Sequence, residues 1–91
     1  MTVQFYTYLH CKPDGTPFYV GKGSKRRCFD FHTGRCDRHR EIVAEHGRDN
    51  ILVLVFQEES EDAALESEIK KIKKFREDGV DLVNILEGLV R

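Results

Sequence analysis

Tyr8, His10, Tyr19 and Gly21 are spaced so that two phenols and an imidazole could meet beside a gap in a strand. Between the runs FYTYLHC and PFYVG lies PDGT, residues 13–16. There Pro presets φ and Asp-Gly suits a tight reversal. A reversal centred on Asp14-Gly15 puts His10 opposite Tyr19 and Tyr8 opposite Gly21. Side chains alternate along a strand, so all four then share one face of the sheet. Such a face is either a polar pocket or an aromatic core with hydroxyls at its rim. Gly21 and Gly23 weaken a strand but let another backbone or a ligand come close.

Glu68 is the next candidate. On a helical projection stepping ~100° per residue, Ala64, Leu65, Ile69, Ile72 and Phe75 fall on one apolar arc, and Glu68 falls inside it. A carboxylate there costs several kcal/mol unless something compensates it. The compensation is either an ion pair with a buried Arg or a hard cation such as Mg²⁺, which keeps most of its waters.

Arg26 and Arg27 are adjacent and diverge by ~100° on a helix. One of them, turned toward the tyrosines, could stabilise the negative charge of a phosphoryl transition state. The alternative is two solvated arginines. Cys28, His32, Cys36 and His39 have the spacing C-x3-H-x3-C-x2-H, a loose match to a tetrahedral Zn²⁺ site that lacks the C-x2-C knuckle.

The elements that must carry these residues follow from pattern. Residues 3–11 read as a strand and 17–21 as its return. Ser24 starts a short helix to about His32, and TGRC, residues 33–36, is a loop. Asp37 caps a second helix that runs to His46 and ends at Gly47. NILVLVFQ, residues 50–57, is nearly all apolar and reads as a central strand buried on both faces. Ser60 caps a long helix to about Glu77, with Glu61 and Asp62 in its first turn. This predicts one α/β domain over residues 1–91: a small three-stranded, mainly antiparallel sheet flanked by helices.

Apolar residues at 40% and charged residues at 34% describe a globular chain rather than a disordered one. No apolar run approaches the ~20 residues of a membrane span, and no signal-peptide pattern opens the sequence. The expectation is an intracellular protein, cytoplasmic or nucleoid-associated, with no membrane partner and its three cysteines reduced. The charge is split. Residues 1–48 hold nine Lys/Arg against five Asp/Glu, and residues 49–91 hold six against eleven. The basic half is densest from Lys22 to Arg40, and a phosphate backbone such as that of DNA seeks such a stretch.

YTY-x10-YVGKG, then Arg27, Glu68 in LESEIKKI and Asn84 in DLVNI, together resemble the GIY-YIG nuclease superfamily. The resemblance runs from Phe5 to about Ile85. Tyr6-Thr7-Tyr8 stands where Gly-Ile-Tyr is usual. The resemblance implies a DNA endonuclease that hydrolyses phosphodiester bonds with one divalent ion, Mg²⁺ or Mn²⁺. It implies that Tyr8 and Tyr19 border the active site, Tyr8 helping to deprotonate the attacking water. Arg27 would stabilise the scissile phosphate, with Arg26 its stand-in, and Glu68 would hold the metal. Lys22, Gly21 and Asn84 would contact substrate or shape the site's rim. Where many relatives carry His or Tyr after the Arg, this chain has Phe31 followed by His32, which would take over that role if the helix shifts by one residue. A catalytic module this small leaves DNA specificity to a homodimer or a partner protein. The alternatives are an inactive nucleic-acid-binding module of the same fold and a zinc-stabilised interaction domain.

Overall fold

The computed structural model describes residues 5–31 and 35–84. Three strands form one antiparallel sheet in the order β2-β1-β3: β1 (Phe5–Cys11), β2 (Pro17–Gly23) and β3 (Leu52–Glu58). Helix α1 (Asp37–His46) precedes β3, and α2 (Glu61–Glu77) follows it. An α/β fold of this kind is what the sequence patterning predicts. Among the described residues, no helix is long and apolar enough to cross a membrane.

The hairpin forms around PDGT. Thr16 N–H donates to Asp14 Oδ1 and Lys12 N–H to Thr16 O, while Gly15 holds φ 91°. Tyr8 pairs with Gly21 and His10 with Tyr19, the pairs expected, but the reversal closes one position earlier than Asp14-Gly15, with Gly15 N–H donating to Lys12 O. A register shift between His10 and Cys11 absorbs the extra loop residue, so Cys11 pairs with Pro17.

β1, not β3, is the central strand. This corrects the reading of residues 50–57. β3 pairs with β1 along one side only, and Leu52, Leu54, Val55 and Phe56 are largely exposed. Apolar content sets what a strand can bury, while the neighbouring elements set what it does bury.

The helix expected over residues 24–32 is reduced to one 3-10 turn, Arg27–Phe29. Lys25 takes φ 56°, which an α-helix does not accept. Arg35 takes the carbonyls of Arg27 and Asp30 that a continuing helix would use. Ser24 therefore caps nothing. α1 is entered from Cys36 rather than Asp37, with Asp37 in the first turn where its charge suits the dipole. Gly47 ends α1 at φ 88°. Ser60 caps α2 as expected, accepting from Ala63 N–H.

The sheet separates two cores. On one face, Leu9, Cys11 and Val20 pack with Ile72 of α2, and with Leu82. On the other, Tyr6 and Tyr8 pack with Cys28, next to a cluster of Phe18, Phe31, Ile51 and Val83. The buried stripe of α2 is Ala64, Glu68 and Ile72, while Ile69 is exposed. The helix is thus rotated so that Glu68 lies at the middle of the packed arc rather than toward one side.

Candidate functional site

The pairing of Tyr8 with Gly21 and His10 with Tyr19 gathers most of the predicted chemistry on one face. Tyr8, His10 and Tyr19 stand within ring-contact distance of one another, with centroids 5.1–6.1 Å apart. Tyr8 and His10 are fully buried, whereas Tyr19 is half-buried. Gly21 does not leave the strand open to a substrate, because the Tyr8 ring fills the space above it. Burial pushes the Tyr8 phenol up to about 12, with Tyr19 adding to the rise and Arg35 and Arg27 opposing it. At neutral pH it is a protonated phenol and a poor proton acceptor.

Beneath these rings lies a histidine pair. His10 Nε2 is 2.7 Å from Cys28 O, and His10 Nδ1 is 2.9 Å from His39 Nε2. A carbonyl only accepts, so His10 carries its proton on Nε2 and offers Nδ1 as an acceptor. His39 must then donate from Nε2. Its Nδ1 is left as a buried acceptor with no partner among the described residues. Burial pulls His10 down to about 4 and His39 to about 3, and the nearby cations Arg35 and Arg27 push the same way. Both rings are neutral at pH 7. Phe31 closes the cluster at 4.7 Å from His10, so this position serves packing.

Arg35, in the segment the sequence marks as a loop, is 4% exposed. Its Nε donates to Asp30 O at 2.9 Å and its Nη2 to Arg27 O at 3.2 Å. The guanidinium sits 4.8 Å from the Tyr19 ring centroid and 5.6 Å from that of Tyr8. Cation–π contact is its electrostatic compensation here, and Nη1 is a buried donor with no partner among the described residues. No periodicity flags an Arg in a loop. His39, which the sequence offers only within the zinc-like spacing, stands on an i, i+3, i+4, i+7 stripe of α1 with Ile42, Val43 and His46, and that stripe is the signal for its burial.

Arg27 and Arg26 divide as adjacent positions should: Arg27 is half-buried and Arg26 exposed. Arg27 folds back across Gly23, where a Cβ would come within 2.6 Å of its Cγ. Its Nη1 lies 3.4 Å from Asp30 Oδ2. Tyr6, not predicted as a site residue, anchors this turn: its hydroxyl donates to Lys25 O at 2.8 Å and accepts from Cys28 N–H at 3.0 Å.

Three predicted residues lie elsewhere. Lys22 pairs with Thr7 on the opposite face. Glu68, 3% exposed, belongs to the α2 stripe that packs on the Leu9 and Val20 face. Asn84 clamps the backbone of Val20, donating from Nδ2 to its O at 2.7 Å and accepting from its N–H at 3.0 Å. His32 lies outside the described residues.

A hard divalent ion held by one carboxylate needs room for the waters it keeps. Glu68, at 3% exposure, does not offer that room as the side chains stand. Among the described residues, no group of three or more His, Cys, Asp or Glu could hold a metal. Of the zinc-like set, Cys28 packs with Tyr6 and Tyr8, while Cys36 packs beside Val83 and donates from Sγ to its carbonyl.

This site reduces to a sealed layer of Tyr8, His10, His39 and Arg35. Above it are groups that solvent reaches: Tyr19, Arg27 and Arg26. It can attract an anion and offer it a phenol and guanidinium donors. Comparisons with protein-family models, with curated proteins and with solved structures match nothing.

Proposed function

We propose that the chain is a DNA endonuclease of the GIY-YIG type that hydrolyses phosphodiester bonds. The observation that carries this reading is the joint placement of Tyr19 and Arg27. A half-buried phenol and a half-buried guanidinium border the same face, inside a basic stretch that runs from Lys22 to Arg40. A phosphate bound there would meet charge-assisted donors with a phenol at hand for proton transfer. Tyr19, rather than Tyr8, is the tyrosine that substrate can reach. Arg35 and Tyr6 hold the turn that presents Arg27.

Two observations favour a second reading, a DNA-binding module without catalysis. Tyr8 is sealed, and Glu68 packs on the other face of the sheet from the tyrosines. A plasmid nicking assay with Mg²⁺, with Mn²⁺ and with chelator separates the two. Metal-dependent conversion of supercoiled to open-circular DNA supports the nuclease. Salt-sensitive binding with no cleavage under any metal supports the module. Binding that does not weaken with salt removes both, since contacts to phosphate release counterions.

A further inference from the structure

The two edges of the sheet are finished differently. At β2, Val83 N–H donates to Phe18 O, and Asn84 bonds both backbone groups of Val20. At β3, no described element pairs with the outer edge. Leu52, Leu54, Val55 and Phe56 of that strand are 40–46% exposed. Natural edges are blunted by charges, prolines or bulges. β3 has no charge before Glu58, no Pro and no register shift against β1. A row of outward N–H and C=O groups calls for a strand as its partner, not merely an apolar surface.

We propose that a second copy of this chain supplies that strand, with β3 pairing antiparallel to its own copy about Val55. Charge favours the antiparallel sense. Glu58, Glu59, Glu61 and Asp62 lie at one end of β3, while at the other Arg48 is balanced by Asp49. Antiparallel pairing sets each acidic end toward the partner's neutral end, whereas parallel pairing would set acid against acid. Leu54 then faces Phe56 of the second copy. The result is a six-stranded sheet in the order β2-β1-β3-β3-β1-β2. The two-fold axis stands perpendicular to the sheet, so both tyrosine faces point the same way. Val55 pairs with Tyr8, and the two β1 strands lie three strand spacings apart, about 14 Å. This inference does not depend on the nuclease reading.

Sedimentation equilibrium of the full 91-residue chain tests it. The expected result is a concentration-dependent mass of twice 10.6 kDa, with β3 amides protected from hydrogen exchange only in the dimer. Residue 55 faces itself, so Val55→Lys and Val55→Glu should each weaken association roughly tenfold or more by opposing like charges, with unchanged circular dichroism. Mixing the two variants should restore association. A wild-type monomer would overturn the proposal, including one whose β3 amides are protected by its own chain. So would dimers of Val55→Lys as tight as wild type, or a mixture that fails to associate.

Discussion

The ring of Tyr8 occupies the space that a side chain at Gly21 would need. A Cβ at Gly21 would overlap the ring and lie 2.8 Å from its Cε1. The glycine therefore serves a close approach between side chain and backbone. Gly21→Ala should cost about 1–3 kcal/mol, the range for overpacking a tight core. Urea unfolding of the pair of proteins measures it, and equal midpoints would show that the ring moves aside freely.

The two tyrosines should separate in activity. Tyr19→Phe removes the phenol at the solvent side and should slow cleavage about 10²–10⁴-fold, as loss of a proton-transfer group does. Tyr8→Phe removes a buried hydroxyl that stays protonated to about pH 12, and its effect should fall below tenfold. Single-turnover nicking rates decide the order, and the reverse order would reinstate Tyr8 as the proton acceptor.

The histidine pair should make the fold acid-sensitive. In the unfolded chain both rings titrate near ~6.5. In the fold they are held down to about 4 and about 3. Between these values the unfolded chain binds protons that the native one refuses, so stability is complete above about pH 6.5 and falls as the pH drops toward 4. The loss should be on the order of a few kcal/mol. His39→Gln keeps a donor for His10 Nδ1 and removes one titration, so its melting temperature should fall less steeply from pH 7 to pH 4.5. A slope identical to wild type would assign the acid sensitivity elsewhere.

Asn84→Ala strips both backbone partners from Val20. It should destabilise the protein by about 1–3 kcal/mol, since a buried group left without its bond pays its full desolvation cost. Asn84→Asp keeps an acceptor for Val20 N–H and loses the donor to its carbonyl. If the clamp is what matters, thermal melts should place Asn84→Asp between wild type and Asn84→Ala.

The hairpin was legible because PDGT marks the turn, although its parity was kept only by the register shift between His10 and Cys11, and α2 was legible because Ser60 and Asp78-Gly79 bracket it. β3 was misplaced because an apolar strand looks alike at the centre and at the edge of a sheet. The burial of Glu68 was readable from its helical angle. The face of the sheet it would meet was not, since that depends on how α2 crosses. Arg35 was invisible: its burial arises from two carbonyls and two rings brought to a loop from distant parts of the chain.

Asn84 fastens onto a residue made 64 positions earlier. At a translation rate of about 5–20 residues per second, the ribosome releases the hairpin roughly 3–13 s before its clamp exists. Throughout that interval β2 is an unfinished margin on a nascent chain. Closure of that margin is therefore a late event in the making of the chain, set by the synthesis of residue 84 and not by the hairpin itself.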